Sequence, residues 1–322
     1  MKKFRYLVAL FVTLTLVSFL AHGKAEAKKK RTIITCATAT TGGGFYLLGS
    51  GMATILQRHI PNVIANAQAT TGAWENVRLV NEGKATLGLA GGDHMYYGWH
   101  GKVKFKKPQD KIRLVIGTYI PTVSIVVYQD SKINSIADLK GKKIASTPGF
   151  GAGQLTPAIL GAYGIKKEDV KIIPLGASET ISTFADKNVD AFCLALGAPH
   201  PLIVQVSKTR KVRFLGMSDE KTKALLKERP FWVRCTIKAN TYKGQDKERN
   251  AVTSPVTWIT NIDVPEEVVY QIVKTTIDYT DEYSKIYRLG AQFNKENALK
   301  ASDIIPLHPG AEKYYKEIGL IK

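Results

Sequence analysis

Short apolar runs of strand length recur along the chain, and most are followed by residues at helical spacing. Thr32–Ala37 (TIITCA) reads as a buried strand and Met52–Ile60 as the helix after it. Val63–Ala69 alternates as a strand does. Trp74–Asn81 repeats as a helix does, with Thr71 placed to cap it. Thr86–Ala90 is a further short strand, and Asp93, His94 and His100 after it read as a surface helix turn. Ile112–Tyr128 is the longest β-like run. It is interrupted at Tyr119-Ile120-Pro121, because proline gives no N–H to a ladder, so it is two strands or one that crosses between sheets.

A second series follows. Ile136–Lys140, Gln154–Tyr163 (ended by Gly164), Glu179–Lys187, Pro201–Val206 and Asp219–Lys227 read as helices. They alternate with strands at Lys143–Ser146, Val170–Pro174, Val189–Leu196 and Val212–Met217. Val252–Thr260 is a second long extended run. Asp263–Arg288 reads as the longest helix, capped by Asp263, with Pro265, Glu266 and Glu267 in its first turn and an apolar stripe from Val269 to Ile286. Residues 308–319 close the chain with a short helix.

Strands alternating with helices predict an α/β class with mainly parallel sheets. The two series predict two α/β lobes joined by two crossing strands, one near 117–122 and one near 254–260. Residues 28–118 with 258–322 form lobe 1 and residues 119–257 form lobe 2. A ligand then belongs in the cleft, at the C-terminal ends of the strands.

Each series contains a glycine-rich turn between a strand and a helix, TTGGGFYLLGSG (40–51) and TPGFGAG (147–153). Such a turn aims free backbone N–H groups and the positive end of a helix at one point, which suits a small anion such as a carboxylate. The plain alternative for either stretch is a tight turn.

The first residues change the picture of where the protein works. Lys2, Lys3 and Arg5 precede an apolar run, Tyr6–Leu20, and Ala25-Glu26-Ala27 is a small-residue cleavage pattern. Residues 1–27 are therefore expected to be a secretory signal peptide, leaving a mature chain that begins near Lys28 and works in the periplasm. Its removal lowers the formal charge from +19 to +16. The basic residues are scattered and no basic patch is interleaved with aromatics, so nucleic acid is not an expected partner. Cys36, Cys193 and Cys235 allow at most one disulfide and read as small buried residues. No metal-ligand spacing occurs, so neither metal nor cofactor is expected.

Five motifs in order carry a resemblance: TTGGGFYLLG, TTGAWENVRLVNEGKATLGLAGGD (70–93), INSIADLKGKKIASTPGFGAG (133–153), VDAFCLALGAPHP (189–201) and IPLHPGAEKYYKEIG (305–319). Across the mature chain the sequence resembles the solute receptors of TRAP-type transporters, specifically the TAXI family. The resemblance implies a type II periplasmic-binding-protein fold. It also implies a monomer that captures a small organic acid (an amino acid or a 2-oxoacid) and hands it to a membrane permease driven by an ion gradient.

Members often carry Thr-Gly-Gly-Thr-Tyr-Tyr-Pro in the first motif. Here Gly44, Phe45 and Leu47 replace the second threonine, the first tyrosine and the proline, while Tyr46 is kept. A serine-glycine pair becomes Thr71-Gly72, and a Gly-Ser-Gly-Thr stretch becomes Gly149-Phe150-Gly151-Ala152. Hydroxyls are lost at Gly44, Phe150 and Ala152, and aromatic area is gained at Trp74 and Phe150. The expected ligand keeps one carboxylate but carries a less polar or larger remainder.

The expected ligand set is Thr40 and Thr41 through their hydroxyls, the N–H groups of Gly43, Gly44 and Phe45, and Tyr46. Thr71 joins it with Asn76 behind, as do Trp74 and Tyr119 at the hinge. From lobe 2 come Phe150, Gly151, Ala152 and Gly153. His200, between two prolines, reads as a structural turn. No catalytic residue is expected: the glycine turns offer no Ser-His-Asp order, no G-x-S-x-G and no paired carboxylates. Two rivals stay open, a ligand sensor for a membrane signalling protein and, behind it, an exported enzyme on the same fold.

Overall fold

The computed structural model describes residues 31–322 apart from Gly42; the expected signal peptide, residues 1–27, lies outside the described residues. The chain lays down β1 (Thr32–Ala37), α1 (Gly44–His59), β2 (Val63–Gln68), α2 (Ala73–Asn81), β3 (Leu87–Gly91), α3 (Gly92–Trp99) and β4 (Ile112–Gly117). It then crosses to β5 (Thr122–Tyr128) and β6 (Lys143–Ser146). A π-helical turn at Gly151–Leu155 leads into α4 (Thr156–Ala162). There follow β7 (Lys171–Pro174), α5 (Ala177–Ala185), β8 (Ala191–Leu196), α6 (Pro201–Thr209), β9 (Val212–Leu215) and α7 (Asp219–Glu228). β10 (Val233–Ile237) and β11 (Arg249–Thr253) form a hairpin that the apolar pattern did not reveal. β12 (Val256–Asn261) returns to the first sheet, and α8 (Glu266–Asp278), α9 (Thr280–Ile286), α10 (Lys295–Ala298) and α11 (Pro309–Glu317) follow.

Two five-stranded sheets result, in the orders β2-β1-β3-β12-β4 and β7-β6-β8-β5-β9. They share one plan. Three parallel strands come first, with Cys36 beside Leu87 in one sheet and Ala145 beside Phe192 in the other. A strand arriving from the opposite lobe then inserts antiparallel in fourth place, β12 between β3 and β4, β5 between β8 and β9. Four of the five strands in each sheet run the same way, and the crossing strand, antiparallel to both its neighbours, makes the sheet mixed.

The crossings are bonded to each other. Thr118 N–H donates to Val256 O at 2.9 Å, the Thr118 hydroxyl donates to the same oxygen at 2.8 Å, and Val256 N–H donates to Tyr119 O at 3.1 Å. The long extended run is split at Ser254-Pro255, between β11 and β12, so only its second half crosses into the first sheet.

Two other expectations are corrected. The long C-terminal helix breaks at Tyr279 into α8 and α9, and its N-cap is Pro265; Asp263 instead pairs with Lys111 at 2.7 Å. The second helix is capped at Gly72, not Thr71, because Gly72 takes a left-handed φ of 116°, which glycine tolerates. Each lobe buries its own core, around Trp258, Tyr283 and Tyr315 in the first and around Phe184, Phe192 and Phe214 in the second.

Candidate functional site

The helices that follow parallel strands start at the C-terminal ends of those strands, and helix starts from both lobes line common cavities. Two cavities lie in the cleft between the described residues of the lobes. One, of about 460 Å³, sets Gly44 and Leu47 of α1 and Tyr119 of the outgoing crossing against Ala177 at the start of α5 and His200-Pro201 at the start of α6. Tyr287 and Arg288 complete its wall. The other, of about 710 Å³, sets Trp74 of α2, Tyr97 of α3 and Lys104 against Gly149, Gly153 and Arg229 of lobe 2.

The two glycine turns therefore serve different halves of the cleft. Gly44 and Tyr119 meet in the smaller cavity, Trp74 and Gly153 in the larger. Among the described residues, neither cavity holds both turns. Thr40, Thr41, Gly43, Phe45, Tyr46, Thr71, Phe150, Gly151 and Ala152 line neither.

The local hydrogen bonds explain several of these placements. Gly43 N–H closes a turn onto Thr40 O at 3.1 Å and so is not free for a ligand, which corrects its expected role. The first intrahelical bond of α1 is Leu47 N–H to Gly43 O, so the N–H groups of Gly44, Phe45 and Tyr46 precede it and have no acceptor within the helix. In lobe 2 the N–H groups of Ala152 and Gly153 donate to Thr147 O and Gly149 O at 2.7 and 2.8 Å, while Gly153 still lines the larger cavity. Gly151 is buried so tightly that a Cβ there would lie 2.5 Å from the Thr147 hydroxyl. Phe150 packs edge-on against Trp232 at 5.8 Å and joins the core of lobe 2.

Thr71 and Asn76 act behind the surface. Thr71 gives both its N–H and its hydroxyl to Glu75 Oε2, at 2.8 and 2.7 Å, and these bonds hold the Glu75 carboxyl below its ordinary pKa. Asn76 is fully buried. Its amide donates to Thr38 O and Leu89 O at 2.6 and 2.8 Å and accepts from the Thr70 hydroxyl at 2.7 Å. It therefore fastens the turns after β1 and β2 to β3 from behind the surface.

Sequence reasoning missed His200, Tyr287 and Arg288. His200 does cap α6, its Nδ1 accepting Leu202 N–H at 3.3 Å, yet it also faces the smaller cavity. Its position at the end of VDAFCLALGAPHP, a third strand-to-helix turn, was the signal. Burial and then the Arg288 charge lower its pKa. Burial and then Tyr287 raise that of Tyr119. Arg288 lay inside what read as one continuous helix, and nothing in the pattern marked it.

Asp93 was also misread. It is fully buried at the second residue of α3, and its Oδ1 accepts from the Ser254 hydroxyl at 2.6 Å and lies 3.0 Å from His94 Nδ1. Serine, histidine and aspartate are thus together, but both polar contacts converge on the carboxylate. The hydroxyl is not presented to the imidazole, as a base-activated nucleophile needs.

The NMT1-like family model matches residues 36–319. The chain belongs to the NMT1-like family. A Brucella abortus (strain 2308) protein named as a binding protein is 30% identical over 139 residues, and a Brucella suis biovar 1 (strain 1330) protein so named matches equally. The match covers 41% of this chain and spans 42% of the length of those relatives. Among solved structures, a TctC solute binding protein from Polaromonas aligns with a TM-score of 0.54 at 16% identity, covering 91% of this chain and 100% of that one. A Xanthomonas citri protein bound to ATP gives 0.53 at 8% identity, covering 89% and 99%. At these identities the likeness is one of fold, and it places this NMT1-like chain on the two-lobed fold of solute-binding proteins. No helix among the described residues is long and apolar enough to cross a membrane.

Proposed function

We propose that this chain is an exported solute receptor that captures a small organic carboxylate between its lobes and delivers it to a TRAP-type permease. The ligand class is an amino-acid-like or 2-oxoacid-like acid with an apolar or aromatic remainder. The chain acts as a monomer, without cofactor or metal, and catalyses nothing. Closure about the two bonded crossings stores the binding event, because a ligand stabilises the closed state by its differential affinity for it.

The observation that carries this reading is the smaller cavity. It joins the start of α1 in lobe 1 to the starts of two helices in lobe 2, with one arginine at its wall. Helix starts and a guanidinium suit an anion, and a cavity of about 460 Å³ lies in the ordinary range for small-molecule sites. The order of five TAXI-like motifs supports the transport assignment.

The test is a thermal-shift screen of protein unfolded and refolded to strip endogenous ligand, against small carboxylic acids, amino acids and 2-oxo acids. A ligand that binds the native state raises the melting temperature by mass action. The expected result is a large shift confined to one class of acids. No shift with any acid would overturn the reading.

A further inference from the structure

We infer that the half-cleft at Arg288 selects organic acids that carry a single negative charge and no ammonium group, so that amino acids are rejected in favour of the same skeletons without the amine. This rests on the receptor reading above and narrows its ligand.

The polar side chains facing this cavity are Tyr119, His200, Tyr287 and Arg288. Among the described residues that line it, none is acidic. Arg288 lines the cavity, is exposed, and makes no ion pair with a described carboxylate; its one hydrogen bond to a described residue goes to Pro199 O, leaving most of its five N–H donors for a ligand. His200 Nδ1 already accepts Leu202 N–H, so in the neutral ring the proton sits on Nε2, a further donor. The hydroxyls of Tyr119 and Tyr287 bond to no other described residue and are free to donate.

The electrostatics agree with the geometry. Burial is the first cause of the shifts of Tyr119, His200 and Tyr287; the Arg288 charge adds to it at His200 and opposes it at Tyr287, and no carboxylate contributes to any of the three. A carboxylate entering here meets one cation and several donors. An ammonium meets the same cation and no acid. A second carboxylate on the ligand finds no second cation in this half.

The other half-cleft has a different balance. There Lys104 and Arg229 are accompanied by Glu228, whose carboxylate lies 3.5 Å from the Arg229 guanidinium. A zwitterion would be tolerated on that side, so the two halves predict opposite preferences.

Titration calorimetry on the stripped, refolded protein should compare leucine with 4-methylpentanoate and phenylalanine with 3-phenylpropanoate. The amine-free acid of each pair is expected to bind on the order of 10- to 100-fold more tightly, the penalty for an unpaired buried polar or charged group. Arg288→Gln is expected to weaken that acid about tenfold or more, as loss of a charge-assisted bond does, without changing the melting temperature of the unliganded protein. Equal or tighter binding of the amino acids overturns the inference and leaves the receptor reading standing. So does a Lys104→Gln variant that weakens binding while Arg288→Gln does not. Failure of every acid to bind sinks the receptor reading itself.

Discussion

The Ser254 hydroxyl donates a 2.6 Å hydrogen bond to Asp93 Oδ1, tying a fully buried carboxylate at the start of α3 to the segment that returns the chain from lobe 2 to lobe 1. The other carboxylate oxygen is buried without a partner. Burial alone would raise the Asp93 pKa. The His94 charge and hydrogen bond, the Ser254 hydroxyl and the backbone N–H outweigh it and hold the carboxyl below its ordinary value. The charge also sits in the first turn of a helix, where it is favoured.

Ser254→Ala should therefore cost about 1.5–3 kcal/mol, the range for a hydrogen bond to a charged group. A carboxyl whose pKa is depressed by folding contributes stability above its unfolded value, about 3.9, and loses it as pH falls through the lower folded value. The melting-temperature gap between wild type and Ser254→Ala should thus be constant from about pH 5 to 7 and shrink below about pH 4. A gap that does not change with pH would show that Asp93 is not ionised in the native protein.

Gly51 tests how α1 is packed. A Cβ there would lie 2.4 Å from Cε2 of Tyr283, a fully buried ring anchored by its hydroxyl to Leu48 O. The ring cannot retreat without breaking that bond, so Gly51→Ala should destabilise by about 1–3 kcal/mol, as overpacking does. Gly161 in α4 has nothing within 4 Å of its would-be Cβ. Gly161→Ala should stabilise by about 0.5–1 kcal/mol through helix propensity. Denaturant titration of both variants separates packing from propensity.

What could be read from the sequence followed from local pattern. The alternation of strands and helices was legible from runs such as Thr86–Ala90, because a strand buried on both faces, as β3 is, must be apolar throughout. The antiparallel insertion of β5 and β12 was not, since pairing partners are distant in sequence; Trp258 of β12 lies opposite Leu89 of β3. The break at Tyr279 was hidden by an unbroken apolar stripe. It is imposed from outside the helix: the Tyr279 ring stacks on His59 at 3.5 Å, and the Thr280 hydroxyl donates to Phe293 O at 2.6 Å. Asp93 looked like a surface acid because its partner, Ser254, is 161 residues away. Both glycine turns were visible as strand-to-helix turns, but local spacing could not show that they face different halves of the cleft.

The three cysteines are free and buried. Burial pushes the thiols of Cys36 and Cys235 up to about 12 and that of Cys193 to about 11, so almost no thiolate exists at neutral pH. A thiol reagent such as a dithionitrobenzoate should leave the native protein unmodified over minutes and titrate all three thiols once it is unfolded. Rapid modification of any of them under native conditions would mean that its lobe opens far more readily than its packing implies.

Lobe closure should be visible through Trp74. Of the four tryptophans, Trp232 and Trp258 are buried in the cores and Trp99 packs beneath the Arg113 guanidinium at 5.3 Å. Trp74 alone among them lines the cleft, with the Lys104 ammonium 5.6 Å above its ring and lobe 2 across the cavity. A ligand that raises the melting temperature and draws the lobes together must change what surrounds this indole, even if the ligand itself sits in the other half of the cleft. Its binding should therefore shift or quench the intrinsic emission, and Trp74→Phe should remove most of that change while leaving the thermal shift largely in place. If Trp258→Phe or Trp232→Phe removes the signal instead, binding is reorganising a core and closure about the two crossings is the wrong description.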